Sequence, residues 1–240
     1  MEPINYSWDE GEESFTDEES FINTSSIDTE AELPTRKDLQ LARRLFHVGN
    51  GVAVATLYWI SFSHSQMVHA LGMIACLLYV FEQIRISYPE AQAKFHPMTK
   101  FIMRAEEQLK ESAMVPYMFA VLLTIITFPK PIALIAIYTL AISDPLSAII
   151  GIRFGKRRIV PHKSLEGSAA FFISSFIICA FVLSVTTGEM SGLVLIVSLL
   201  VSFTTSAFEM LPLRIDDNLT IPLFSAVMLW IFCETFGIYL

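Results

Sequence analysis

Between Asp144 and Ser168 the chain reads D-P-L-S-A-I-I-G-I-R-F-G-K-R-R-I-V-P-H-K-S-L-E-G-S. A carboxylate comes first, then Gly151 and Gly155 four residues apart, then a cluster of cations. Lys163-Ser164-Leu165-Glu166-Gly167 follows and opens the next apolar run. An acid that can meet a metal, a glycine-softened turn and several cations are the ingredients for holding a polyphosphate.

Asp144 lies deep in an apolar run, where a carboxylate costs a few kcal/mol unless it is paired, metal-bound or hydrated. Pro145 follows it, and Asp-Pro is a good N-cap and first-turn pair. The run therefore reads as a broken helix lining a polar cavity, with a cap alone as the plainer reading. Gly151-x-x-x-Gly155-Lys156 is similar to a shortened phosphate cradle. Its spacing is not that of a P-loop and no strand precedes it, which excludes a P-loop nucleoside triphosphatase. The same glycine pair also suits close helix packing in a membrane. Ser164 can cap the following helix, whose free N–H groups suit a phosphate. Glu166 in that first turn either complements the helix dipole or reaches a metal or hydroxyl, and Gly167 permits close approach.

Other candidates lie far away in sequence. Arg43-Arg44-x-x-His47 enters the first apolar run, with Arg43 and His47 on one helical face at the depth of phosphates. The alternative there is an ordinary basic flank. Glu82 and Arg85 form a local ion pair by their spacing. Glu209 is a second acid inside an apolar run. Asp216-Asp217-Asn218, with Pro222 just beyond, is a hard-oxygen set suited to magnesium, or else a simple turn. Cys76, Cys179 and Cys233 all sit in apolar runs without C-x-x-C spacing, so neither zinc nor a disulfide framework follows.

The elements that must position these residues are membrane helices. Of 240 residues, 53% are hydrophobic and mean hydropathy is +0.54, which excludes an ordinary soluble globule. The net charge of −8 is local, because half of the 24 acids fall in the first forty residues. Residues 1–40 read as a disordered acidic tail, and residues 41–240 as the membrane domain. Apolar runs at about 45–62, 66–84, 113–129, 131–150, 165–186, 190–211 and 219–239 are each near the roughly 20 residues a bilayer demands. The expected class is all-α, a polytopic membrane protein of about seven transmembrane helices. A further amphipathic helix is expected over 95–109, lying at the interface. Every cation except Lys130 falls before the first run or in alternate loops. The N-terminus and the loop carrying Lys156 and Lys163 are therefore expected in the cytoplasm.

Taken together, Asp144, Gly151, Gly155, Lys163-Ser164-x-Glu166-Gly167 and Asp217-Asn218-x-x-x-Pro222 resemble the CTP-dependent lipid-alcohol kinases. These are the dolichol, phytol and yeast-type diacylglycerol kinases. The resemblance runs over roughly residues 41–240 and takes in Arg43, Arg44, His47 and the Glu82/Arg85 pair. It implies transfer of the γ-phosphate of CTP to a lipid hydroxyl, with a divalent metal such as Mg2+. It also implies an integral protein of the bacterial inner membrane or the endoplasmic reticulum, working in lipid metabolism. The segment from Arg85 to Glu107 is closer to the diacylglycerol branch, and K-S-L-E-G-S to the phytol and dolichol branches, so the acceptor stays open.

On this reading Arg43, Arg44, His47, Gly151, Gly155, Lys156, Lys163, Ser164 and Gly167 hold the nucleotide. Asp144, Asp216, Asp217 and Asn218 hold the metal. Asp144, Lys163, Glu166 and Glu209 are the catalytic candidates, with Asp144 or Glu209 taking the hydroxyl proton. The partners are a membrane lipid alcohol and a nucleoside triphosphate. Nucleic acid is not among them, and the sequence assigns no oligomeric state. Two rivals remain. One is a CDP-lipid-forming enzyme like the phosphatidate cytidylyltransferases, although R-I-D-D-N-L-T-I-P lacks their ending. The other is a small transporter, which would want an inverted repeat of broken spans.

Overall fold

The computed structural model describes residues 41–88, 114–160, 163–213 and 215–240, without the side chains of 42 and 43. The acidic tail and the amphipathic segment at 95–109 lie outside these residues.

Among the described residues the seven apolar runs form seven helical segments. They are α1 (Leu41–Ile60), α2 (His64–Ser87), α3 (Met114–Thr127) and a pass made of α4 (Lys130–Tyr138), a π-helical turn (Thr139–Ser143) and α5 (Asp144–Phe154). Then come α6 (Leu165–Thr187), α7 (Gly192–Glu209) and α8 (Asp217–Phe236). Five of the passes are long and apolar enough to cross a bilayer, while α3 is shorter. The 20 residues of α1 include Arg43, Arg44 and Asn50, which lower its apolarity. Large side chains such as Ile60, Met73, Leu77, Ile177 and Phe203 point outward. A belt of that kind suits lipid rather than water.

The pass from Lys130 to Phe154 is the axis of the bundle. Ile132 to Ile137, Leu140 and Ala141 are all buried, because α1, α3, α6 and α8 pack round it. A helix that is apolar on every face needs such a surround. Between α5 and α6 lies a small antiparallel hairpin, β1 (Arg158–Val160) against β2 (Lys163–Ser164). It pairs Arg158 with Ser164 and Val160 with Lys163.

One expectation is corrected here. Asp144 does not cap a new helix: the residue before it, Ser143, has helical backbone and makes no side-chain cap. The chain passes Pro145 through the π-helical turn instead of breaking. Pro145 has no N–H to offer the carbonyl four residues back, and its ring crowds that turn. Widening the preceding turn lets the helix continue, and such turns recur at functional sites.

At the end of the bundle away from Asp144, Lys130 Nζ donates to the Phe62 carbonyl at 3.1 Å and lies 5.0 Å above the Tyr58 ring. It thereby satisfies an orphan carbonyl at the end of α1. Ser63 starts α2 with a full capping box to Gln66.

Candidate functional site

The site forms where six elements meet: α1 begins, α5 ends, the hairpin turns, α6 begins, α7 ends and α8 begins. Glycine makes this convergence possible. A Cβ on Gly155 would lie 2.2 Å from the Gly151 carbonyl and 2.7 Å from Ser164 Oγ. One on Gly167 would lie 2.8 Å from the Ser147 carbonyl and 3.2 Å from Gly151 Cα. Gly151, Gly155 and Gly167 thus let α5 and α6 cross almost backbone to backbone around Ser164. The glycine pair is therefore, first, a packing device. Gly155→Ala should destabilise the protein by about 1–3 kcal/mol, the usual cost of overpacking. Gly72→Ala, with nothing within 4 Å, should not. Thermal unfolding of the detergent-purified variants checks both outcomes.

Ser164 caps α6 as expected, its Oγ accepting from the Gly167 N–H at 3.1 Å. Glu166 turns to the hairpin and accepts from the Arg157 N–H, at 3.3 and 3.4 Å for its two oxygens. Its observed part is to fix the loop that carries Lys163. Lys156 is exposed on the same loop.

Lys163 is the hub. Its ammonium donates to Glu209 Oε1, and Asp217 Oδ2 lies 3.4 Å away. Glu209 is only 3% exposed, and its second oxygen accepts from Ser168 Oγ at 3.5 Å. Ser206 Oγ donates in turn to the Ser168 carbonyl at 3.0 Å, so α6 and α7 are tied directly beneath the ion pair. Burial pulls the pKa of Lys163 down, but Glu209, Asp144 and Asp217 outweigh it and leave the pKa above the ordinary lysine value. The lysine is therefore a permanent cation.

Asp144 is half-buried, and the charges acting on it are Lys163, Asp217, Arg44 and Asp216. Ser147 Oγ donates to its backbone carbonyl at 2.9 Å. Asp144, Lys163, Glu209 and Asp217 are therefore brought together from four elements, with Arg44 from a fifth. Asp216 is partly committed elsewhere: its Oδ1 accepts from the Asn218 N–H at 2.8 Å as the cap of α8. Of the D-D-N triplet, Asp217 is the member that faces Lys163. His47 packs its ring 4.6 Å from that of Tyr117. Glu82 and Arg85 form the expected local pair, buried and bidentate at 2.7 and 2.9 Å.

Among the described residues, no three His, Cys, Asp or Glu side chains are arranged to cage a metal ion. Magnesium needs no such cage, since it is commonly held by one or two carboxylates together with substrate phosphates. Asp144 and Asp217 fit that smaller requirement. Sequence reading missed Ser168, Ser206 and Tyr117. Ser206 lies one turn before Glu209, a spacing that would have marked it, whereas Tyr117 carries no sequence signal at all.

The chain is related to proteins named as CTP-dependent diacylglycerol kinases and phytol kinases. It is 28% identical over 211 residues to CTP-dependent diacylglycerol kinase 1 of Eremothecium gossypii, covering 79% of this chain and 66% of that one. It is 24% identical over 208 residues to the Schizosaccharomyces pombe protein of the same name, covering 81% and 94%. A phytol kinase of Synechocystis is 28% identical over 211 residues, covering 83% and 84%. The chain thus spans just under two thirds of the Eremothecium protein and nearly all of the Schizosaccharomyces one. No protein-family model matches the chain, and no solved structure does.

Proposed function

We propose that this relative of the diacylglycerol and phytol kinases is itself an integral-membrane lipid kinase, transferring the γ-phosphate of CTP to the hydroxyl of a membrane lipid alcohol. The observation that supports this most is the convergence of Lys163, Asp144, Asp217 and Glu209 at one end of an apolar bundle. A cation for phosphate stands there among carboxylates, at the depth where a lipid hydroxyl meets water.

Phosphoryl transfer asks a protein mainly for positioning and charge neutralisation. Lys163, with Arg44 nearby, neutralises the triphosphate. Asp144 and Asp217 would hold magnesium arriving with the nucleotide, whose chemistry is to neutralise charge on the phosphate oxygens. The lipid oxygen attacks the γ-phosphorus, the bond from γ-phosphorus to the bridging oxygen breaks, and CDP leaves with the electron pair. The hydroxyl proton passes to Asp144. Glu209 is less suited to that task, because both its oxygens are already engaged. By the distribution of cations this end of the bundle faces the cytoplasm.

The test is purified protein with CTP labelled either at the α- or the γ-phosphate, a panel of lipid alcohols and, alongside them, phosphatidate. The kinase predicts γ-label in the lipid and CDP in solution. Lipid carrying the α-label, with release of pyrophosphate, would instead identify a cytidylyltransferase. No labelled lipid from either nucleotide would defeat both readings.

A further inference from the structure

Tyr117 sits at the inner edge of this site with a hydroxyl that nothing among the described residues uses. It is buried in α3, and its phenolic oxygen is among the buried side-chain atoms that lack any hydrogen-bond partner. Such a group costs on the order of 1–3 kcal/mol, and in a membrane no water competes to relieve it. The protein even makes room for it. A Cβ on Gly51 would fall 2.6 Å from that oxygen and 2.5 Å from the Ala141 Cβ. Glycine at 51 thus opens the seam between α1 and the π-helical turn into which the phenol projects.

The level of this hydroxyl in the bundle follows from its neighbours. Gly51 of α1 faces Ala141 of the central pass, and the two helices run in opposite directions. Asp144 stands three residues beyond Ala141 towards the site, a rise of about 4.5 Å. Arg44 stands about two turns from Gly51 towards the same end and acts electrostatically on Asp144. His47 lies between them, its ring against Tyr117. The phenol is therefore about one turn further into the apolar bundle than Asp144.

We infer that Tyr117 is a substrate-positioning residue whose hydroxyl donates to the oxygen of the acceptor alcohol and holds it against Asp144. This rests on the kinase reading above. One alcohol oxygen can accept from Tyr117 and donate to the Asp144 carboxylate. Two hydrogen bonds of about 2.7 Å each span an offset of one turn. The phenol takes no proton in the reaction, which still goes to Asp144. The nucleotide is held by Lys163 and Arg44, and the phenolic oxygen bonds neither of them.

Tyr117→Phe tests the assignment, since it keeps the ring against His47 and removes only the oxygen. The assay reads γ-label transfer in mixed micelles, varying lipid alcohol and CTP separately. Loss of one neutral hydrogen bond predicts a fall of about five- to tenfold in kcat/KM for the lipid. KM for CTP should not change, and thermal stability should be unchanged or higher because an unpaired buried hydroxyl is gone. Tyr58→Phe serves as a control, since Tyr58 bonds His64 at 2.9 Å near the far end of the bundle, and should leave lipid kinetics alone. Wild-type lipid kinetics in Tyr117→Phe would overturn the inference. So would a loss of stability, which would show a structural partner, or an equal rise in KM for CTP. Wild-type protein run alongside separates the two levels: if it transfers no γ-label to any alcohol, the kinase reading itself falls.

Discussion

Asp144→Asn is expected to abolish phosphoryl transfer while leaving the folded protein as stable as wild type, or more stable. The side chains are nearly the same size, so packing is preserved. The structure removes the one structural role that competed with chemistry, because Asp144 makes no helix cap and the chain passes it in continuous helix. Its carboxylate stands instead among Lys163, Asp217 and Arg44. Removing a half-buried charge from a cluster that still contains Glu209 and Asp217 leaves Lys163 compensated. An amide can neither accept the hydroxyl proton nor bind magnesium as a carboxylate does. Loss of a general base alone lowers turnover about 10²- to 10⁴-fold. The measurements are γ-label transfer across a magnesium titration and thermal unfolding in detergent. A stable variant that works at the normal rate at every magnesium concentration would remove Asp144 from the site.

Lys163→Met should lose both activity and stability, and the second loss should be reversible by design. The ammonium is the partner of Glu209, which is almost wholly buried. Deleting one member of a buried pair strands the other charge, at a cost of about 3–5 kcal/mol. The single variant should therefore unfold at distinctly lower temperature. Adding Glu209→Gln removes the stranded charge and should restore most of that stability, since replacing both partners is often nearly neutral. Activity should stay low in both, by roughly a hundredfold or more, because a fixed charge on the transferring phosphate is lost. The combination separates structure from chemistry in a way the single substitution does not. Normal turnover in the stable double variant would show that Lys163 only holds Glu209 in place.

Much of this arrangement could be read from the chain alone, for physical reasons that act locally. Apolar runs of bilayer length dictate helical passes, since backbone groups in lipid must be satisfied within their own segment. Ser164 could be named as a cap, and Glu82 with Arg85 as a pair, because caps and i,i+3 contacts involve near neighbours in sequence. The acids at 144, 209 and 217 stood out because charges are costly inside or beside apolar runs. What the tertiary structure decided was who meets whom. Lys163 and Glu209 are far apart in sequence, and nothing local says that the end of α7 lies against the hairpin. The close approach of Gly151 to Gly167 sets α5 against α6, and Ser206 with Ser168 ties α7 to α6 beneath the pair. The passage round Pro145 was equally hidden, because a break and a π-helical turn answer the same missing N–H; only the fold shows the turn, packed against α1 and α6. Tyr117 is the extreme case. An aromatic residue in an apolar run is ordinary core by every sequence criterion, and only its depth beside Gly51 and Ala141 shows a hydroxyl left without a partner among the described residues.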